Sequence, residues 1–339
     1  MKTAHIMAGA PTGGAELFFE RLTAALHTPV DPILPVIRRN QARAARLISA
    51  GLDPIQLPFG GPLDLLTRPR LARRLRAYAP HLVMAWMSRA AAKTPRGDWV
   101  LTARLGGYYD LRRFRHCDHL IANTQGLVQW IEHQGWPAPR VHHLPNFAPD
   151  LAGAAPATLP SPADAPTVLA MGRLHHNKAF DVLIRALRLL PGVHLILAGE
   201  GPERDALQRL ARSEGVAGRT HFLGWRADQA ALLAACTVLA CPSRQEPLGN
   251  VVLEAFSAGV PVVAAAAAGP AELIRPGETG LLAPIEDPGP LAEAIAAVIG
   301  DQALAARLAA AGRAEYEAVH AEAPVLARWR KTLAGLGRV

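Results

Sequence analysis

The stretch A-C-P-S-R-Q-E-P-L-G-N-V-V-L-E-A-F-S-A-G, Ala240–Gly259, decides how the rest of the chain is read. It gives the end of a buried strand, a Pro/Ser turn and a helix that the sequence places from near Pro247 or Leu248. Proline suits a first helical position, because the N–H it lacks would be unpaired there. Gly249 and Asn250 keep the first turn small, so a ligand can approach the free backbone N–H groups of an anion-attracting helix end. Glu246 precedes that end and Glu254 lies two turns inside it, so the two carboxylates do not share one helical face. One is expected across the mouth of a site and the other along the helix flank. The plainer alternative is an acid complementing the helix dipole and a solvated surface residue.

Upstream of that stretch the second half alternates strand and helix. Val168–Met171 reads as a strand, and G-R-L-H-H-N-K-A-F-D leads from it into a helix from Val182. Arg173 and Lys178 therefore sit on a strand-to-helix loop, at the edge where open α/β sheets bind ligands. Two cations there suit a diphosphate, the arginine as a fork and the lysine as a point charge. His194–Ala198 is the next strand, with Gly199 and Gly201 marking its turn; Thr220–Leu223 ends in Gly-Trp, and Val238–Cys241 delivers the opening stretch. Residues 148–166 shift to Ala, Pro and polar residues and read as a linker, with domains over 1–150 and 167–320 and the linker proper at 151–166.

The first half shows the same alternation, with strands expected at Thr3–Ala8, Ile33–Ile37, Pro54–Leu57, Leu82–Met87, Trp99–Ala103, His119–Asn123 and Val141–Leu144. The first is followed by G-A-P-T-G-G-A-E, where Gly13 and Gly14 let backbone approach a phosphate. The spacing is not the G-x-G-x-x-G of dinucleotide-binding folds, which argues against a dehydrogenase. A strand ending at Arg104 leads through Gly-Gly to Tyr108 and Tyr109, read as opening an Arg-rich helix; aromatics beside cations fit a sugar or an anionic acceptor. His116, His119, His142 and His143 have no ligand spacing and read as structural.

Composition sets the outer limits. The 339 residues suffice for two domains, and a chain half hydrophobic and 19% charged is not disordered. Cys117, Cys236 and Cys241 have neither metal nor redox spacing, so a reducing cytoplasm is expected. No apolar run reaches the roughly 18 residues of a membrane span, and the N-terminal apolar stretch is too short for a signal peptide. Residues 1–150 hold 19 Lys and Arg against 10 Asp and Glu, whereas 151–339 hold 17 against 18. The basic excess lies wholly in the first half. Two segments carry much of it, Arg39–Gly51 with Arg39, Arg43 and Arg46, and Pro69–Tyr78 with Arg70, Arg73, Arg74 and Arg76. Read as basic amphipathic helices, they suit an anionic membrane surface on the inner face of the cytoplasmic membrane. A nucleic-acid partner is not expected, since no recognised motif accompanies the charge.

Ser243, Glu246, Gly249, Glu254, Gly259 and Pro261-Val262-Val263 together resemble the nucleotide-sugar site of retaining GT-B glycosyltransferases, the large group 1 family that includes bacterial cell-envelope and lipopolysaccharide enzymes. G-R-L-x-x-x-K-A-F-D and G-G-A-E resemble the same family, with Ala179 where the family has glycine. The resemblance implies two doubly wound, Rossmann-like α/β domains facing across a cleft, with a last helix from about 321 crossing back to the first domain. It implies sugar transfer with retention from a nucleoside-diphosphate sugar, UDP being the expected nucleotide, to a glycan, lipid-linked or phosphorylated acceptor. Arg173, Lys178 and Glu246 would be catalytic, with no cofactor and no metal, and the sequence has no Asp-x-Asp. Gly13, Gly14, Gly199, Gly201, Leu223, Ser243, Leu248, Gly249, Asn250 and Glu254 would line the donor, with Glu254 on the ribose. Arg104, Tyr108 and Tyr109 would face the acceptor, Arg104 standing where many relatives have a histidine. An epimerase or phosphorylase of the same architecture, or a non-enzymatic nucleic-acid binder, are the alternatives.

Overall fold

The computed structural model describes residues 1–11, 13–61 and 64–337. They form two units, Met1–Asn146 with Ala323–Val339, and Phe147–Glu322.

Unit 1 is built on a seven-strand parallel sheet: β1 (Thr3–Met7), β2 (Ile33–Arg38), β3 (Ile55–Leu57), β4 (Leu82–Trp86), β5 (Val100–Leu105), β6 (His119–Ala122) and β7 (Val141–His143). They lie in the order β3-β2-β1-β4-β5-β6-β7. Every residue of β1 and β4 is buried. Helices on both faces of a parallel sheet leave no solvent side, which is why β4, L-V-M-A-W, reads as a continuous apolar run, while β1, T-A-H-I-M, buries Thr3 and His5 as well. Unit 2 repeats the plan with β8 (Thr167–Met171), β9 (His194–Ala198), β10 (Thr220–Gly224), β11 (Val238–Cys241), β12 (Val262–Ala265) and β13 (Leu281–Ala283), ordered β10-β9-β8-β11-β12-β13. In each sheet the order reverses beside the first strand, so the loops after β1 and β4, and after β8 and β11, open at a switch point. Ligands enter doubly wound sheets there.

The helix Glu322–Leu336 belongs, from Ala323 on, to unit 1. Trp329 is fully buried, its indole N–H donates to the Pro145 carbonyl at 3.3 Å, and Arg330 reaches the Ala25 carbonyl. Residues 148–166 lie along unit 2: the Ala157 N–H donates to the Ala231 carbonyl at 2.9 Å, and Leu151 and Leu159 pack on the core. Among the described residues no single helix is long and apolar enough to cross a membrane.

Three local expectations are corrected. The helix after β11 runs Asn250–Ala258, not from Pro247, because Gly249 adopts a left-handed conformation (φ 93°, ψ 56°) that ends the turn before helix begins. Tyr108 and Tyr109 do not open a helix; Asp110 accepts the Arg112 N–H and caps a short 3₁₀ turn, Leu111–Phe114, that returns the chain to β6. The cationic face of Gln41–Ser49 is partly consumed internally. Arg43 is buried on Glu20 at 2.9 Å, and Arg46 binds the same carboxylate at 2.6 Å.

Candidate active site

In unit 2 the loops after β8 and β11 meet. The β8 loop carries Arg173 and Lys178, and the β11 loop carries Ser243, Arg244 and Glu246. The Lys178 ammonium forms an ion pair with Glu246 Oε2, and the Ser243 hydroxyl lies 3.4 Å from the same oxygen. Burial works against the lysine's charge, but the charges of Glu246 and Glu254 outweigh it and hold its pKa above the ordinary value. The lysine is therefore a fixed cation, paired with a carboxylate four residues ahead of the helix Asn250–Ala258. The neighbouring Cys241 thiol is pushed up to about 11 by burial and by Glu246, so it is neutral and unreactive.

Arg244, which the sequence did not single out, fixes this geometry. Its guanidinium forks onto both Asp181 oxygens at 2.8 Å, its Nε reaches Glu286 at 2.5 Å, and its own N–H donates to the Asn177 carbonyl at 2.9 Å. Burial opposes a charged Asp181, yet the fork prevails and keeps the carboxylate below its ordinary range. The two loops are thus pinned on either side of the Lys178–Glu246 pair. Ala179 takes the left-handed conformation (φ 53°), and its methyl is buried in the core. The lysine stays in place at the expense of about 1 kcal/mol of backbone strain.

Gly199 and Gly201 have a visible structural task. A Cβ on Gly199 would fall 1.8 Å from the Gly172 carbonyl oxygen, and one on Gly201 2.2 Å from that of Leu174. The β8 and β9 loops touch backbone to backbone, and only glycine permits it. Leu223 is half-buried at the end of β10, next to the irregular pairing at Phe222 and Gly224. Leu248 is buried in the core, so only its backbone remains for a ligand. Gly269 donates to the Glu246 carbonyl at 2.8 Å and braces the segment from the β12 side. Asn250 and Glu254 are half-buried at the helix start and on its flank. Arg173 is exposed, and among the described residues it has no ion-pair partner; it does not join Lys178 and Glu246 in direct contact.

In unit 1, Gly13 caps the helix Gly14–Leu26. The carboxylate of Glu16, buried, folds back over that loop: it accepts the Ala10 N–H at 2.7 Å, and a Cβ on Gly9 or Gly13 would lie within 2.4 Å of its oxygens. The fourth residue of G-G-A-E thus fills the room that Gly9 and Gly13 leave. Arg104, at the end of β5, is fully buried with no carboxylate partner among the described residues. Its Nη2 donates to Asn146 at 2.5 Å, its guanidinium lies 5.2 and 5.0 Å from the Phe18 and Trp86 rings, and its Nε is unpartnered. Desolvation pulls it down to about 10, so it remains cationic at neutral pH. Tyr109 is half-buried on Phe114, while Tyr108 is exposed with its ring edge-on to Trp130. Among the described residues no three His, Cys, Asp or Glu side chains are grouped to hold a metal ion.

Two strand-edge loops thus bring a half-buried Lys–Glu couple together ahead of the helix Asn250–Ala258, and the relatives of the chain show the family it belongs to. The model of the family described as glycosyl transferases group 1 matches residues 154–315. The chain is 37% identical over 328 residues to the lipopolysaccharide core biosynthesis glycosyltransferase LpsE of Rhizobium meliloti, covering 92% of this chain and 93% of that one. It is 33% identical over 325 residues to LpsD of the same organism, covering 92% of each. Its structure is similar to that of Anabaena Alr3699/HepE in complex with UDP, with a TM-score of 0.85, 25% identity and coverage of 99% of this chain and 100% of that one. WaaG, a glycosyltransferase involved in lipopolysaccharide biosynthesis, shares the fold at a TM-score of 0.73 and 18% identity, over 99% and 100% of the two chains. The chain belongs to the group 1 glycosyltransferases, and its two parallel-sheet units are those of the GT-B fold.

Proposed function

We propose that the protein moves a sugar from a UDP-sugar to a glycan of the lipopolysaccharide core, with retention at the anomeric carbon. The observation that carries this reading is the Lys178–Glu246 pair pinned beside the N-terminus of Asn250–Ala258. A relative that makes lipopolysaccharide core and a neighbour bound to UDP-glucose support the choice of acceptor and donor. Lys178, Arg173 and the helix end supply positive charge where the leaving diphosphate develops negative charge, a fixed electrostatic contribution that carries no reorganisation cost at the moment of reaction. On this reading the diphosphate takes over the lysine, which frees Glu246 to accept hydrogen bonds from the sugar hydroxyls, and Glu254 holds the ribose. Gly13 and Gly14 are assigned to the donor and Tyr108 and Tyr109 to the acceptor, with Arg104, itself buried, supplying positive charge on the acceptor side. Because protein cations do this work, turnover is expected to survive chelation by EDTA.

The protein acts on this reading from the cytoplasm, docked on the anionic membrane face. Thr67–Tyr78 supports this, since Arg68, Arg70, Arg73, Arg74 and Arg76 are all exposed, beside Leu65 and Leu66 at 80% and 57% exposure. Each such arginine near the surface is worth about 1 kcal/mol. The deciding experiment incubates UDP-sugars with deacylated core oligosaccharide and reads the product's anomeric configuration by NMR. An inverted product, or hydrolysis of the donor without transfer, would refute the reading. Sedimentation with anionic vesicles, lost on neutralising Arg70, Arg73, Arg74 and Arg76, tests the docking separately.

A further inference from the structure

Unit 1 holds a cavity that these roles touch only through Tyr109. It has a volume of about 310 Å³ and lies between the 3₁₀ turn Leu111–Phe114 and the helix Gln125–His133. Three aromatic residues line it, Tyr109, Trp130 and Trp136. Each is half-buried, with part of its ring packed on the unit 1 core and the remainder facing the opening. The polar part of the wall is an exposed ion pair, Asp110 with the Arg112 guanidinium at 2.8 Å. Arg115 also lines the cavity, exposed and without an ion-pair partner among the described residues.

That combination has a chemical meaning. Aromatic faces carry negative charge density and attract weakly positive C–H groups, and a pyranose offers such a face on one side of its ring. Its equatorial hydroxyls need acceptors and donors at the rim, which a carboxylate and guanidinium provide. A purely apolar ligand would leave Asp110 and Arg115 without a role. The volume falls in the range of small-ligand sites, about 300–1,000 Å³. Tyr109 lines the cavity, and its hydroxyl feels the charges of both Arg104 and Glu16.

We infer that this cavity binds a sugar residue of the acceptor glycan, at least one unit away from the hydroxyl that reacts, and that Arg115 meets an acidic substituent on it. The inference rests on the glycan-acceptor reading above. Its experiment uses the full chain, with deacylated lipopolysaccharide core oligosaccharide as the probe, either intact or carboxyl-reduced and dephosphorylated. Binding is measured calorimetrically without donor, and turnover with donor. Trp136→Ala should raise the acceptor Kd and KM about 10-fold, the scale of one lost aromatic contact, with kcat and donor KM unchanged. Arg115→Glu should weaken binding of the intact glycan and leave the neutralised one as in the wild type. A truncated, single-sugar acceptor should not distinguish either variant from the wild type. If Trp136→Ala proves unfolded by thermal shift, Arg115→Glu, at an exposed site, carries the test. Wild-type acceptor binding in a folded variant, while the wild type transfers sugar, would overturn the subsite and leave the function standing. Absence of transfer to any core glycan would overturn both.

Discussion

Replacing Lys178 by methionine isolates the pair at the centre of the site. The substitution keeps most of the side-chain length and removes the charge, leaving the Glu246 carboxylate at 13% exposure with the Ser243 hydroxyl at 3.4 Å. Breaking a fully buried pair costs about 3–5 kcal/mol, because one charge is left uncompensated. The lysine side chain retains 25% exposure, so water relieves part of that, and about 2–3 kcal/mol is expected. For a unit of this size that corresponds to a fall in Tm of roughly 5–10 °C. The double variant Lys178→Met/Glu246→Gln removes both charges and should recover at least half the loss. Differential scanning calorimetry of the four proteins of this cycle measures the coupling directly. Turnover is expected to fall by about 10²-fold or more in Lys178→Met and not to recover in the double variant, since the diphosphate contact is gone in both. A Tm within about 2 °C of wild type for Lys178→Met, or additive losses in the double variant, would refute the claim that the two charges hold each other in place.

Further expectations follow from other parts of the structure. Gly199→Ala should lower the stability of unit 2 by about 2 kcal/mol or more and weaken donor binding, since the added methyl meets a carbonyl oxygen at 1.8 Å; unchanged unfolding would show that the β8 and β9 loops separate freely. His5 is fully buried, hydrogen-bonded to Thr23 at 3.0 Å, and pulled down by burial to about 3. The unfolded chain therefore binds a proton that the native state refuses, and stability is full above about pH 6.5 and declines by about 1.4 kcal/mol per unit as pH falls toward 3. His5→Gln should flatten that part of the profile of Tm against pH, and an unchanged slope would assign the acid sensitivity elsewhere. Arg104→Gln should leave unit 1 within about 1 kcal/mol of wild type, because burying an unpaired guanidinium is itself unfavourable. It should nonetheless raise acceptor KM, and a kinetic profile equal to wild type would remove Arg104 from the acceptor side.

The sheets were legible in the sequence because strands covered on both faces are mostly apolar, and their glycine-marked ends coincide with the switch points. Lys178 and Glu246 were legible as separate motif residues. Their contact was not, since it closes 68 positions of chain and depends on the Arg244–Asp181 fork. The helix start was misread because Pro247 suits a first turn locally, while Gly249 turns left-handed (φ 93°) and the helix begins after it. Arg43 and Arg46 looked like a solvated cationic stripe because Glu20, their partner, lies on another helix. Trp130 and Trp136 gave only a weak signal, two indoles bracketing a turn at Gly135; that they face Tyr109 follows from the 3₁₀ turn, which the sequence presented as an ordinary helix.

The membership of the helix Glu322–Leu336 in unit 1 bears on how the protein is made. Unit 2 is one unbroken length of chain, but unit 1 is completed only when residues some 180 positions after Asn146 have been synthesised. At ribosomal rates of about 5–20 residues per second, that is roughly 10–40 s. Throughout that interval the seat of Trp329, lined in part by the Pro145 carbonyl, is bare, and the nascent unit 1 presents an apolar groove to the cytosol. Unit 2, first to have its full sequence, is positioned to fold ahead of the sheet that precedes it. Chains stalled before Ala323 should then carry a folded second unit and an incomplete first one, the form that chaperones would be expected to hold.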